Sequence, residues 1–297
     1  MLQFRPISIN DKKIADKILK PLNSLSCAHC FADLFIWQNV YKTQICIEDE
    51  FVFIKQELNG DIKYVFPLGN GDFKSAIEKL KEDARENNST FIMAAINGEQ
   101  KNILEKLYPN EFEIDSSRDY QDYIYNAQSL QTLAGKKLHS KRNFINRFKT
   151  SFEGQWEYTS ITNENIHDVF EYHLNWCEKY TGEDAEGFFG ETSAISLALK
   201  NFDALELEGG FLKLNDEIIA FTLGSKANEQ IYIMHIEKAD HTINGSYQMI
   251  NNLFAIEHFD NVKYVNREED LGIEGLRKAK LSYYPTMLGD NFIAKMK

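Results

Sequence analysis

FLKLNDEIIAFTLGSKANEQIYIMHI, residues 211–236, is the stretch on which the fold turns. Phe211–Leu214 and Ile218–Ser225 flank Asn215-Asp216, and Gln230–Ile236 follows a short polar break. Apolar, β-branched runs on either side of such a turn specify an antiparallel hairpin with a third strand beside it. Downstream, apolar spacing gives a helix from about Ser246 to Phe259, carrying Met249, Ile250, Leu253, Phe254 and Ile256. Val262–Val265 reads as a short buried strand, Gly275–Tyr283 as a helix and Met287–Ala294 as a last extended piece. Upstream, Gln155–Ile161 is strand-like, and Asn165–Tyr180 and Thr192–Asn201 are helical.

The first half has the same grammar. Asn10–Leu22 reads as an amphipathic helix, with Ile14, Ile18 and Leu19 on one face. The aromatic run Phe31–Trp37 has no clean period. Gln44–Glu57 and Ile62–Leu68 surround Asn59-Gly60 as a hairpin, and Asp72 caps a helix carrying Phe73, Ala76, Ile77, Leu80 and Ala84. A buried strand Thr90–Ile96, a helix Glu99–Leu107 stopped at Pro109, and a strand-like piece Phe112–Tyr125 complete it. Ile62 placed on Ile231 gives an offset of 169, and Pro109 on Pro285 one of 176. Repeated element order decides architecture before any motif does, so the chain reads as a duplicated α/β unit. The 297 residues also favour two domains, here 1–134 and 135–297, joined near residues 127–155.

The net charge of −12 argues against a protein that coats polyanions generally, and DNA is not an expected partner. The charge is uneven. Tyr123–Phe152 has no acidic residue and carries Lys136, Lys137, Lys141, Arg142, Arg147 and Lys149, or +6, which leaves −18 on the remainder. On a helix Lys137, Lys141, His139 and Arg142 share a broad face opposite an apolar stripe of Leu138, Phe144, Ile145 and Phe148. Two readings stand: a contact for phosphates, or a solvated connecting helix.

Glu237, Lys238 and Asp240 lie just past Ile231–Ile236, and Asn266-Arg-Glu-Glu-Asp270 ends the next strand. Ligands favour strand ends of this kind. Arg267 could bind a carboxylate or stabilise an oxyanion, and Glu237 or Glu268 could hold or deprotonate an amine; an internal salt-bridge network is the alternative. Arg277, Lys278, Lys280, Tyr283 and Tyr284 follow on the last helix. Cys27-Ala-His-Cys30 lacks a second pair, and His173 with Cys177 supplies two ligands without a third, so no metal is expected. The longest apolar runs fall short of a membrane span. The N-terminus lacks a secretory h-region, and four cysteines suit a reduced, cytoplasmic chain.

GKKLHSKRNFINRF (135–148), HIEKAD (235–240), NGSYQMIN (244–251) and NREEDLGIEGLRKAKLSYYP (266–285), with FADLFIW (31–37) and Pro67-Leu68-Gly69, resemble the phosphatidylglycerol lysyltransferase C-terminal domain family. The resemblance covers essentially the whole chain. It implies a tandem of two GNAT-like acyltransferase domains related to Fem peptidyltransferases, with mixed sheets flanked by helices. It implies transfer of an acyl or aminoacyl group from an activated donor to an amine or hydroxyl, the acceptor being a small molecule or peptide. The donor is aminoacyl-tRNA, reached through the basic helix by Lys137, Lys141 and Arg142, or acyl-CoA; a non-catalytic binding module of the same fold is the third reading. By the same resemblance Tyr283 stands where a tyrosine proton donor is often found. The donor loop would be Asn244, Gly245 and Ser246, with Arg277 and Lys280 nearby, yet it keeps only the central glycine of the usual pyrophosphate motif.

Overall fold

The computed structural model describes residues 2–58, 60–180 and 185–297, with side chains in the last segment from 189 onward. The turn residue Asn59 lies outside the described residues. Strands are numbered in chain order and, among the described residues, form two sheets. The first runs β1 (Arg5–Pro6), β2 (Gln44–Glu48), β3 (Phe51–Leu58), β4 (Asp61–Val65), β6 (Ile92–Ile96), β15 (Phe292–Met296), β7 (Phe112–Ser116), with β5 (Leu68–Gly69) beside β3. The second runs β14 (Met287–Leu288), β8 (Tyr123–Asn126), β13 (Tyr264–Asn266), β12 (Ile231–Ala239), β11 (Glu217–Lys226), β10 (Glu208–Leu214), β9 (Trp156–Ser160).

The β10–β11 hairpin turns at Asn215 and Asp216, both left-handed at φ 51° and 68°, as the two-residue loop requires. Each sheet holds one parallel pair, β4 with β6 and β12 with β13, and the remaining ladders are antiparallel. The two extended segments expected near residues 112–125 and 287–294 each divide in two. Phe112–Ser116 stays in the first sheet while Tyr123–Asn126 enters the second, between β13 and β14. Met287–Leu288 stays in the second sheet while Phe292–Met296 enters the first, between β6 and β7.

The two crossings run side by side. Ser117 N–H donates to Asn291 O at 2.8 Å, and Gly289 N–H to Asp122 O at 2.8 Å. A division at 134/135 therefore separates stretches of sequence, while β8 and β15 each complete the sheet of the other half.

Among the described residues three apolar cores follow. One lies around each sheet, and the third joins the halves. At that third core sits the helix Phe31–Ile36, which buries Phe31, Ala32, Leu34, Phe35 and Ile36. A short helix buried nearly all round has no solvent stripe, which is why this run showed no period. The first helix is shorter than expected, Lys12–Leu19 flanked by 3₁₀ turns, and it leaves Ile14 exposed.

Removal of residues 292–297 takes an interior strand from the first sheet. Loss of cooperative thermal unfolding is the expected outcome, read by near-ultraviolet circular dichroism. Residues 135–297 expressed alone, lacking β8, are expected to give no sharp melt.

Candidate functional site

β12 pairs with β13 only from Ile231 to Ile233, opposite Tyr264 to Asn266. Beyond that point β12 continues to Ala239 along β11, so its other edge opens into a notch. Glu237 stands on this free stretch. Arg267 follows β13, and its N–H donates to Tyr123 O at 3.0 Å, so a strand from the other half fixes it.

Arg267 Nη2 meets Glu237 Oε1 at 2.8 Å, and the second Glu237 oxygen accepts from Asn251 Nδ2 at 2.8 Å. The guanidinium lies 4.8 Å from the Tyr283 ring centre and 5.6 Å from that of Tyr125. Lys141 Nζ sits 4.2 Å from the Tyr283 ring and donates to Ser282 Oγ at 2.6 Å. Burial, reinforced by the Arg267 charge, lowers the Lys141 ammonium to about 8. Burial raises the Tyr283 phenol, so it keeps its proton at neutral pH. Two buried polar atoms here, Arg267 Nη1 and Asn251 Oδ1, have no hydrogen-bond partner among the described residues. Both atoms keep their hydrogen-bonding capacity for a group that enters the notch.

Glu268 turns the other way. Its backbone is left-handed at φ 57°, and its Oε1 lies 3.0 Å from His235 Nδ1. His235 Nε2 contacts Ser225 Oγ at 2.9 Å, and Asp33 lies 3.8 Å from Nδ1. Burial lowers His235 to about 4 and leaves it neutral. Burial, with the Glu269 charge beside it, raises Glu268 well above the carboxylate range; burial and Glu268 do the same for Asp33. The thiol of Cys27 donates to Asp122 Oδ1 at 3.1 Å, with Glu269 Oε2 3.8 Å away. Cys30 instead lies 4.0 Å from Ser225 Oγ, so the two cysteines of the C-x-x-C serve different neighbours.

The expected donor residues are spread out. Lys280 Nζ donates to Arg267 O at 2.5 Å and to Glu269 O, and Arg277 Nη2 is held by Asp270 at 2.7 Å and Asp119 at 2.6 Å. Both cations thus fasten the loop that carries Arg267. Lys137 lies exposed before the helix His139–Ser151, 5.4 Å from the Tyr284 ring, and Arg142 Nη1 donates to Gly135 O at 2.9 Å. At Asn244-Gly245-Ser246 the helix His139–Ser151 packs on the loop: a Cβ on Gly245, at φ 95°, would stand 2.8 Å from Phe144 O. Ser246 Oγ is spent on Asp240 O at 2.7 Å. Asn251, Tyr125, His235, Asp33 and Asp122 were missed. For Asn251 and His235 there was a signal, a polar residue inside an otherwise apolar stripe or strand.

Residues 19–295 match the family described as phosphatidylglycerol lysyltransferase, C-terminal. The chain belongs to that family. A conserved protein of unknown function from Bacteroides thetaiotaomicron is 39% identical, with a TM-score of 0.96 and 100% of each chain covered. L-PGS from Bacillus licheniformis is 16% identical with a TM-score of 0.69, over 98% of this chain and 92% of that one. FemX has a TM-score of 0.60 at 10% identity, over 100% of this chain and 98% of its own. A tandem GNAT protein from the clavulanic acid biosynthesis pathway has a TM-score of 0.50 at 10% identity, over 99% of this chain and 98% of its own, and these three show the fold, a tandem of GNAT-like units. An uncharacterized protein of Mycoplasmoides gallisepticum is 28% identical over 183 residues, 59% of this chain. The chain spans 56% of the length of that curated relative, about half. No helix among the described residues is long and apolar enough to cross a membrane.

Glu237→Ala strands the buried Arg267 charge, and a loss of about 3 kcal/mol in unfolding free energy is expected by denaturant titration. Glu237→Gln, which keeps an acceptor, is expected to lose less.

Proposed function

We propose that the notch around Glu237 and Arg267 transfers an aminoacyl group from aminoacyl-tRNA to an amine or hydroxyl acceptor. The observation that carries this reading is the free Arg267 Nη1, a buried donor with its other nitrogen already clamped by Glu237. A donor held in place before reaction, in a site with little water, stabilises an oxyanion strongly. In the proposed step the acceptor nitrogen or oxygen attacks the ester carbonyl, and charge develops on the carbonyl oxygen at Arg267. The new C–N or C–O bond forms, the C–O bond to the ribose breaks, and the acceptor's proton passes to the ribose oxygen. Tyr283, protonated at neutral pH, is suited to relay that proton, giving its own to the ribose oxygen as it takes the acceptor's, while Lys141 supplies positive charge toward the donor.

Aminoacyl-tRNA is favoured over acyl-CoA by the loop at Gly245. A pyrophosphate needs open backbone N–H groups there, whereas Ser246 N–H is spent on Ile243 O at 3.2 Å and Phe144 O packs against Gly245. The exposed Lys136, Lys137, Arg147 and Lys149 remain available to phosphates.

Arg267→Ala is expected to lower kcat/KM for transfer by about 100-fold, the cost of one oxyanion donor. Unchanged transfer would sink the assignment, as would failure to bind charged tRNA at low salt. Lys141 loses its charge as pH rises through about 8, so KM for the donor is expected to climb above that pH. Lys141→Arg, which stays charged, is expected to flatten the climb.

A further inference from the structure

Two consecutive tyrosines follow the last helix, Glu274–Leu281, and their environments differ sharply. Tyr283 is 5% exposed and packs in the notch against Arg267, while Tyr284 is 52% exposed. Tyr284 belongs to none of the three apolar cores. Its backbone sits at φ 54°, in the left-handed region. A bulky residue there is a genuine outlier, and strain of this kind clusters at active sites and ligand clamps. Packing of the core does not account for an aromatic ring held outside it at that cost.

The basic segment keeps register with the pair. Lys141 Nζ lies 4.2 Å from the Tyr283 ring centre, and Lys137 Nζ lies 5.4 Å from that of Tyr284. One cation–aromatic pair thus stands inside the notch and a second outside it, on neighbouring residues of the chain. Lys136 and Lys137 are exposed, and no acidic residue occurs in Tyr123–Phe152. Leu281, also exposed, adjoins the outer ring, since Tyr284 N–H donates to Leu281 O at 2.9 Å. A ring, an apolar neighbour and fixed positive charge together suit an unpaired nucleotide. Its base stacks flat on the ring whatever its identity, and the phosphate beside it meets the lysine. A base inside a duplex has its faces covered by its neighbours and gains less from such a platform.

We infer that Tyr284 is the stacking platform for the terminal base of the unpaired 3′ end of a tRNA, with Lys137 on the phosphate next to it. This placement rests on aminoacyl-tRNA as the donor, and adds where the end of that donor is held. With the base on Tyr284, the ribose that carries the ester is directed past Tyr283, the next ring along, toward Arg267. The grip lies outside the reacting group, so it acts on charged and uncharged tRNA alike.

The test uses the full chain and two uncharged RNAs at low salt, intact tRNA and tRNA lacking its 3′-terminal adenosine, with binding followed by fluorescence anisotropy. The wild type is expected to bind the intact RNA at least about fivefold more tightly, the low end of what stacking on an aromatic side chain supplies. Tyr284→Asn removes the ring and suits left-handed backbone. It is expected to bind both RNAs equally, with the affinity that the wild type has for the shortened one. Tyr284→Phe is expected to match the wild type. Lys137→Gln is expected to weaken both RNAs alike and to reduce the slope of affinity against salt by about one. Thermal melts establish that each variant is folded; if Tyr284→Asn is not, Tyr284→Gly replaces it. Equal binding of the two RNAs by the wild type overturns the inference and leaves tRNA as the donor. So does a preference for the intact RNA that survives in Tyr284→Asn. No binding of intact tRNA by the wild type sinks the donor reading and the inference together. Sedimentation with vesicles of anionic phospholipid that is lost in Tyr284→Asn, with tRNA binding unchanged, also overturns it, by showing that the ring serves a lipid surface.

Discussion

The reciprocal exchange of β8 and β15 is the constraint on which the rest of the molecule depends. Each sheet places a strand from the opposite half between two of its own. An interior strand satisfies backbone groups on both edges, so neither sheet is complete without the other half. The notch inherits this dependence. Arg267 is tethered to Tyr123 of β8, and Asp270 takes hydrogen bonds from Tyr123 and Arg118, both of the first half. Rigid closure of one half upon the other, common in two-domain enzymes, would have to break these ladders.

Three consecutive residues divide the charged interior in two. Arg267 faces the notch with Glu237, Lys141 and Tyr283. The left-handed backbone at Glu268 then reverses direction, and Glu268 and Glu269 face Asp33, His235, Cys27 and Asp122. Lys280 clamps the carbonyls of Arg267 and Glu269 on either side of that reversal. Left-handed, non-glycine backbone costs of order 1 kcal/mol and persists where surrounding contacts over-determine it. Here it keeps a cationic pocket and a carboxyl-rich cleft a residue apart.

Much of the architecture was legible because it is written locally. Asn215-Asp216 fixes a hairpin, Asp72 caps its helix through Lys74 and Ser75, and the offsets near 170 residues expose the repeat. The exchange was not legible, since Phe112–Tyr125 and Met287–Ala294 read as strand whichever sheet receives them. Strand partners are chosen by tertiary contact, and a period of two says nothing of them. At the site, Glu237 and Arg267 were found as charges at neighbouring strand ends, and the structure brings Tyr283 and Lys141 to them. Glu268 was grouped with them because it is adjacent in sequence, yet one backbone angle carries it elsewhere. Arg277 and Lys280 look the same in sequence whether they face a ligand or, as they do, two carboxylates and two carbonyls.

The exchanged strand also sets an order of events during synthesis. Phe112–Ser116 leaves the ribosome some 180 residues before Phe292–Met296, which at 5–20 residues per second is roughly ten to forty seconds. Through that interval β6 is open on one edge and β7 has no strand partner among the described strands. Such edges invite pairing with other chains. The first half is therefore a structure held in suspense until Phe292–Met296 is made.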